Sequence, residues 1–436
     1  MVDQVVTAFV RLWGILVGAV SWDQEKGFAT FEYAPSFLRH GLDVAPLTMP
    51  LDRALIGTTQ YDFRTLPRIT YMGLPGMLAD ALPDRFGNDV INAWLARQGR
   101  TPESFNAVER LCYTGKRAMG ALEFSPILNK SLEESVPIEV SQLVQLAQSV
   151  VKDRAGLHGD LSSDTSDALL DILRVGTSAG GNRPKAIIAL NDATNEVRSG
   201  QVDAPEGFDY WVLKFDGVRE NTLGDPAGYG RVEYAYHLMA LAIGIEMTEC
   251  RLLEEGGRAH FMTRRFDRQS GKGKLHLQSL CAIAHYDFNS PGSYSYEQAF
   301  QVNRELKLPY SDMEQLYRRM LLNVVARNQD DHTKNIAYLM DKEGEWRLSP
   351  AFDVLYSYNP RGAWTDRHQM SISGKTDDFS RSDLLRVGNE MGIRDGKHLL
   401  DEVVEEVSNW PKYAMEAGVD QSRIEAVGSL HRLSLE

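Results

Sequence analysis

Residues Arg327-Asn328-Gln329-Asp330-Asp331-His332-Thr333-Lys334-Asn335 gather carboxylates, an imidazole and amides in one polar run. Transfer of a phosphoryl group from ATP to a hydroxyl needs one carboxylate to accept the hydroxyl proton. It also needs oxygen ligands for the magnesium that accompanies the nucleotide. Protein kinases place an Asp and an Asn five positions apart in one loop, with a metal-binding Asp beyond it. Asp330, Asn335 and Asp353 reproduce that spacing and order. Two other readings exist for the same residues. Asp330, Asp331 and His332 would suit metal-assisted hydrolysis if more His or carboxylate ligands stood at ligand spacing, but the other histidines are scattered. Asp and Asn in a loop also serve as turn and cap residues with no chemistry at all.

The flanking elements are legible. Glu314 to Ala326 reads as a helix with Leu316, Met320, Leu321, Val324 and Val325 on its buried face. After the polar run, Ile336 to Met340 reads as a strand, Asp341 to Glu345 as a turn and Trp346 to Leu348 as a second strand. The chain then reaches Ser349-Pro350-Ala351-Phe352-Asp353. The order is helix, polar loop, hairpin, carboxylate.

Further candidates lie upstream. Gly176-Thr177-Ser178-Ala179-Gly180-Gly181-Asn182-Arg183-Pro184-Lys185 precedes an apolar strand, Ala186 to Leu190. Glycines let backbone N–H groups turn toward an anion with no Cβ in the way. The run is not a Walker A loop, because Asn182 stands where the lysine belongs. Phe208 to Asp216 reads as another strand, with Tyr210, Val212 and Lys214 on one face and Trp211, Leu213 and Phe215 on the other. A lysine ending such a strand suits ATP phosphates; the plain alternative is a lysine reaching solvent from an edge strand. Glu233, in the first turn of a helix from Val232 to Ala242, is a candidate partner for Lys214 or a carboxylate favoured by the helix dipole. Glu249 to Leu253 and Ala259 to Arg264 read as two strands, and the run Phe261 to Arg268 leaves the second as a connector. In a bilobal kinase such a connector pairs its backbone with adenine; Phe266 would pack beneath the ring or be ordinary core.

Before these, Val10 to Trp13, Ile15 to Val20 and Phe28 to Tyr33 read as strands, with a tight turn at Gly14 and a stop at Pro35. Met77 to Gln98 is helical, broken early at Pro83, and Ser104 to Tyr113 is a second helix. Gly120 to Phe124 closes this part as a strand, and Ile138 to Val151 is an amphipathic helix in the connection that follows. Beyond Phe266 the pattern is mostly helical: Tyr296 to Arg304, Ser311 to Ala326, then helices after Arg381, Lys397 and Asp420.

Composition narrows the class. A chain of 436 residues suits two or three domains or one large bilobal unit. No apolar run approaches a membrane span, and Met1-Val2-Asp3-Gln4 does not begin a signal peptide, so a cytoplasmic protein without membrane contact is expected. Cys112, Cys250 and Cys281 are odd in number and far apart, which suits buried thiols in a reducing compartment. A net charge of −13 makes the chain a poor autonomous binder of nucleic acid. Any DNA contact is expected to come mainly through a basic partner.

With these residues set out, the sequence resembles the HipA family of serine/threonine kinase toxins from bacterial toxin–antitoxin systems. The carriers are the run Gly176 to Lys185, Tyr210 to Lys214, Arg265 to Arg268, Asp330 to Asn335 and Pro350 to Val354. Phe31-Glu32-Tyr33-Ala34-Pro35 and Leu82-Pro83-Asp84 look like further family features. The resemblance implies an α+β, bilobal protein-kinase-like fold. Its parts would be a β-rich N-terminal subdomain (1–125), the rest of an N-lobe with the Gly-rich loop and ATP lysine (126–268) and a helical C-lobe with the catalytic and metal-binding loops (269–436). It implies ATP and Mg2+ as cofactors and Asp330 as general base. Asn335 and Asp353 would hold magnesium. Lys214 would hold ATP phosphates, with Gly180, Gly181, Asn182 and Lys185 lining the nucleotide. Arg264 and Phe266 would meet adenine, and His332 would contact nucleotide or brace its loop. Ser178 matches the residue that the family autophosphorylates, with Thr177 as the other acceptor. The implied partners are a HipB-type DNA-binding antitoxin, operator DNA through that antitoxin, and a protein substrate in translation such as an aminoacyl-tRNA synthetase. One departure is visible: some members carry a basic stretch late in the chain that touches operator DNA, whereas Lys375-Thr376-Asp377-Asp378 is mixed to acidic here.

Two alternatives share these residues. A small-molecule phosphotransferase of related fold would use the same Asp, Asn and Asp. A non-catalytic corepressor would have no need to keep Asp330, Asn335, Asp353 and Lys214 together.

Overall fold

A computed structural model describes residues 5–97, 99–129, 132–154, 183–218, 228–269 and 273–436. The fold is mixed α/β. Its contacts divide the chain into two units. The first holds Met1–Ala227, Leu253–Leu277 and Asp341–Gly344; the second holds Gly228–Leu252, Gln278–Met340 and Glu345–Glu436. In this division both N-terminal parts fall in one unit, and Gly228–Leu252 lies in the second. The reason is packing. In the helix Tyr229–Ala242, Arg231 donates to the Ala417 carbonyl at 3.1 Å and the Tyr236 hydroxyl to the Ala326 carbonyl at 2.5 Å.

In the first unit β1 (Thr7–Leu12), β2 (Ile15–Asp23), β3 (Phe28–Tyr33), β4 (Gln60–Tyr61) and β5 (Leu122–Ser125) form an antiparallel sheet in the order β4-β3-β2-β1-β5. Ala8, Val10 and Leu12 alternate inward along β1, as a one-sided strand requires. The expected tight turn is Trp13-Gly14, with φ of +51° and +83°, the signs of a two-residue hairpin turn matched to strand twist.

A second sheet runs β7-β6-β8-β10-β9, where β6 is Lys185–Asn191, β7 Glu196–Ser199, β8 Asp209–Lys214, β9 Cys250–Glu255 and β10 Arg258–Arg264. The alternation along β8 is as the sequence indicates. Trp211, Leu213 and Phe215 enter a core with Ala186, Ile188 and Met262. The helices Arg85–Arg97 and Val140–Arg154 cover that core with Val90, Ile91, Leu95, Leu143 and Val144. Each such large side chain contributes about 1.5–3 kcal/mol by leaving water. A two-stranded ribbon, β11 (Arg268–Gln269) with β12 (Gly273–Lys274), completes the unit's strands among the described residues.

The chain enters the second unit through β13 (His276–Ser279), which pairs in the order β13-β14-β15 with Ala337–Met340 and Trp346–Leu348. Helices dominate the rest. In Tyr310–Val325 all five expected apolar positions are fully buried. Ser295 and Ser380 start the helices Tyr296–Glu305 and Arg381–Met391 with reciprocal capping boxes. The helix Trp410–Glu416 lies beyond the helices expected from the sequence and carries Pro411 in its first turn. Proline in a first helical turn loses no hydrogen bond.

Candidate functional site

The polar run begins where the helix Tyr310–Val325 stops. Arg327 adopts φ +57°, which turns the chain out of the helix. The Asn328 N–H returns to the Asn323 carbonyl at 2.9 Å, and residues 327–329 pair with Ser357 through bonds of 3.0 and 3.3 Å. Asp353 also has positive φ, +53°. A non-glycine residue there costs about 1 kcal/mol or more, and such residues gather at functional sites.

Asp331 fixes the loop from inside. It is 3% exposed, and its carboxylate accepts from the Tyr296 hydroxyl at 2.9 Å, His368 Nδ1 at 2.8 Å and the Gln369 N–H at 2.8 Å. Asn323 Nδ2 donates to the Tyr296 oxygen at 2.9 Å, and Asn328 Nδ2 to Asn323 Oδ1 at 2.9 Å. Three protein donors therefore hold this carboxylate, a bracing role rather than a ligand's. The described residues also contain no group of three or more His, Cys, Asp and Glu able to hold a metal ion. The hydrogen bonds on Asp331 weigh against the hydrolytic reading.

Asp330, the next residue back, faces the other way. Its side chain is 37% exposed. Oδ1 accepts from Trp364 Nε1 at 2.6 Å and lies 3.8 Å from His332 Nε2. The Asp330 carboxyl is pushed up from its ordinary value. Burial is the main cause, and the charges of Asp353 and Asp331 add to it. His332 and the Trp364 bond act in the opposite direction. A carboxylate raised in this way is a better proton acceptor than an exposed one.

Asn335 closes the short 3-10 turn Thr333–Asn335, and its Nδ2 donates to the Asp330 carbonyl at 2.8 Å. That bond leaves Asn335 Oδ1 without a hydrogen bond among the described residues. Asn328, Asp331, His332, Asn335 and Asp353 line a small pocket together with apolar side chains such as Leu316 and Ile336, and Asp330 stands outside that lining. An amide oxygen and a carboxylate are hard donors, which magnesium takes while keeping waters and substrate phosphates as its other ligands. Asn335 and Asp353 thus fit a magnesium–nucleotide complex, and Asp330 fits the proton acceptor. These three and His332 all lie in the second unit: Asn335 bonds the Asp330 backbone, His332 faces the Asp330 carboxylate, and Asp353 acts on that carboxylate by its charge while sharing the pocket with Asn335 and His332.

The other expected residues belong to the first unit. Lys185 and Lys214 stand opposite each other on β6 and β8. Both are buried, at 5% and 9% exposure. Lys185 Nζ is 3.5 Å from Asp84 Oδ2, while Asp84 Oδ1 caps the helix Arg85–Arg97 through the Gly87 N–H at 2.7 Å. That gives Leu82-Pro83-Asp84 a physical role. Lys214 Nζ lies 5.6 Å from the Phe261 ring centre. Arg264 pairs with Asp209 at 2.5 Å, and Phe266 is half-buried. Glu233 is buried in the second unit's helix Tyr229–Ala242, whereas Lys214 belongs to the first unit. Thr177, Ser178, Gly180, Gly181 and Asn182 lie outside the described residues.

Within the connector, Arg265, Asp267 and Arg268 form a buried clamp. Asp267 is fully buried between Arg265, at 2.7 and 2.9 Å, and Arg268, at 2.7 Å. It also accepts from the Gly120 N–H at 2.7 Å. Arg268 donates onward to the Gly120 and Ala118 carbonyls at 3.0 and 3.1 Å. Gly120 has φ +78°, and a Cβ there would meet the Leu277 N at 2.9 Å, so the clamp requires glycine.

A family model described as the HipA-like C-terminal domain matches residues 177–411, more than half of the chain. A second, described as the HipA N-terminal domain, matches residues 8–125. The chain belongs to the HipA family. Among solved structures, this HipA-family chain is similar to the Shewanella oneidensis MR-1 toxin–antitoxin system HipA, solved with HipB and its operator DNA. The TM-score is 0.68 at 16% identity, over 97% of this chain and 95% of that one, a likeness of fold. A Helicobacter pylori proinflammatory kinase, CtkA, aligns with a TM-score of 0.34 at 12% identity, over 58% of this chain and 90% of that one. No curated protein sequence matches the chain.

The sequence reading missed Trp364, His368 and Tyr296. Trp364 sits in a polar stretch with no spacing signal, and the other two look like ordinary core and loop residues until the fold brings them to Asp331.

Proposed function

We propose that this HipA-family chain is a serine/threonine protein kinase toxin of a toxin–antitoxin system, with a bilobal kinase-like fold. The observation that carries the reading is the arrangement in the second unit: a raised, partly open Asp330 whose backbone is bonded by Asn335 and whose carboxyl feels the charge of Asp353, with Asn335 and Asp353 lining one pocket. Asp330 takes the proton of the acceptor hydroxyl, and Asn335 and Asp353 hold Mg2+ on ATP. Lys214 and Lys185 hold phosphates, Arg264 and Phe266 meet the adenine, and the run Gly180 to Asn182 lines the nucleotide. His332, set between the Phe288 and Trp364 rings at 5.3 and 6.4 Å, suits bracing of its loop.

Ser178 is the proposed autophosphorylation site. A phosphate there carries about two negative charges and is incompatible with ATP phosphates in the same pocket. Autophosphorylation then switches the kinase off. The partner is a HipB-type antitoxin, and operator DNA is met mainly through it. Two contacts support that division: Lys375 is paired with Asp383 at 2.6 Å, and Asp377 with Arg432, so this stretch offers no surplus positive charge. The cellular substrate is a translation component in the cytoplasm, of which an aminoacyl-tRNA synthetase is the type. No helix among the described residues is long and apolar enough to cross a membrane.

The test is intact mass after incubation with Mg·ATP. Wild type is expected to gain one phosphate, located at Ser178 by peptide mapping, and Asp330→Asn none. A wild-type chain that binds Mg·ATP yet transfers no phosphate to itself or to translation proteins would overturn the reading.

A further inference from the structure

Trp364 belongs to none of the roles above, yet it makes a closer hydrogen bond to the Asp330 carboxylate than any other side chain among the described residues. We propose that Trp364 is the positioning residue of the general base. Its indole N–H pins Oδ1 and so presents Oδ2 to the acceptor hydroxyl. The inference rests on the phosphotransferase reading.

The two oxygens of Asp330 are not equivalent. Oδ1 accepts from Trp364 Nε1 at 2.6 Å and faces His332 Nε2 at 3.8 Å. Oδ2 has no hydrogen bond among the described residues. The terminal torsion of an Asp side chain is broad when nothing holds it. One short bond to Oδ1 narrows that torsion and decides which oxygen meets a substrate. In the transfer step the acceptor O–H gives its proton to Oδ2. Its oxygen forms a bond to the γ-phosphorus as the bond to the ADP oxygen breaks.

Trp364 is itself held in place. The Asn359 N–H donates to the Thr365 carbonyl at 3.1 Å, which closes the stretch 359–365 on itself. Gln369 Nε2 donates to the Trp364 carbonyl, to the Arg367 carbonyl at 3.1 Å and to the Gln329 carbonyl at 3.3 Å. One amide therefore ties the tryptophan's backbone to the residue just before Asp330. The indole also lies edge-on to His332, with ring centres 6.4 Å apart. Packing alone would need only the ring; the geometry uses the N–H.

Trp364→Phe removes the donor while keeping an aromatic, though smaller, ring, and Mg·ATP affinity separates the two effects. Both quantities are measured on the full chain: Mg·ATP affinity by calorimetry, and single-turnover autophosphorylation by intact mass. The expected result is Mg·ATP affinity within about twofold of wild type and a transfer rate lower by about 10- to 100-fold, the scale set by misplacing one reacting group. Trp364→His, whose ring retains an N–H, is expected to recover part of the rate. An unchanged rate in Trp364→Phe overturns the inference while leaving the phosphotransferase reading intact. So does a rate loss matched by equal loss of Mg·ATP affinity, which would make Trp364 a packing residue, and so does a Trp364→His variant no faster than Trp364→Phe. A wild-type chain that transfers no phosphate overturns the reading and this inference with it.

Discussion

His368 Nδ1 lies 2.8 Å from Asp331 Oδ2, with both side chains shut off from solvent. The bond joins the candidate catalytic loop to a segment 37 residues further along the chain. Arg432 Nη1 reaches the opposite face of that imidazole, Nε2, at 3.4 Å. The Nδ1–H tautomer suits both contacts, since Nδ1 then donates to the carboxylate and Nε2 accepts from the guanidinium. Asp331→Ala would leave the Tyr296 hydroxyl, His368 and the Gln369 N–H without their acceptor. The expected cost is about 3–5 kcal/mol of unfolding free energy, read from urea denaturation, with transfer activity falling because the loop loses its anchor.

Asp330→Asn is expected to behave in the opposite way. Among the described residues its side chain bonds only Trp364 and faces His332, and Asn keeps an acceptor for that bond. Stability should stay within about 1 kcal/mol of wild type, as for surface changes away from buried networks. Phosphoryl transfer should fall by about 10²- to 10⁴-fold, the usual worth of a positioned base. Denaturation and single-turnover labelling on the same preparation check both halves.

The contrast between Asp330 and Asp331 shows where sequence reasoning stops. The spacing Asp330 to Asn335, the apolar period of Tyr310–Val325 and the alternation of Trp211, Leu213 and Phe215 are local patterns, and local patterns survive into the fold. Nothing local says which of two adjacent carboxylates turns inward. That is decided by Tyr296, His368 and Gln369, which are distant in the chain. Likewise nothing local in Arg265-Phe266-Asp267-Arg268 shows that Asp267 and Arg268 form a buried clamp, because their partners, Gly120 for Asp267 and Ala118 for Arg268, come from far upstream. The short helices Leu51–Leu55, Arg68–Tyr71 and Leu280–Ile283 span barely a turn, too little for any periodicity to register.

Magnesium dependence should divide between the two ligand candidates. Asn335→Ala removes both an oxygen ligand and the Nδ2 bond to the Asp330 carbonyl. Asp353→Asn removes only charge at a position whose φ of +53° Asn also tolerates. Both variants should need more Mg2+ for half-maximal autophosphorylation, and chelation should abolish transfer in wild type. Asn335→Ala should in addition lose rate at saturating Mg2+, because the base loop loosens. A magnesium titration of the three proteins checks this.

Asp267 gives an acid-range expectation. Burial alone would raise its carboxyl, but Arg265 and Arg268 overcome that and hold it well below the ordinary value. A depressed folded-state pKa contributes stability that is complete above the unfolded value, about 3.9, and is lost as pH falls below it. Asp267→Asn lacks that contribution at every pH. The stability gap between wild type and variant should therefore be constant from pH 7 to about 5 and narrow below about 4. Denaturation midpoints across that range measure it.

His276 moves the same argument into the range near neutrality. It is fully buried, with Nε2 3.3 Å from the Val44 carbonyl, and burial lowers its pKa to about 4. The carbonyl works weakly the other way. In the unfolded chain the imidazole protonates near pH 6.5, while the folded chain keeps it neutral down to about 4. The unfolded state thus binds more protons throughout that window, so stability falls as pH drops from about 6.5 toward 4 and is complete above it. His237, lowered by burial to about 4 in the second unit, acts in the same direction. His276→Gln removes one such group, and its stability should fall less steeply than that of wild type between pH 7 and 5. Parallel urea-midpoint curves for the two proteins over that interval would exclude the buried neutral imidazole as a source of acid sensitivity.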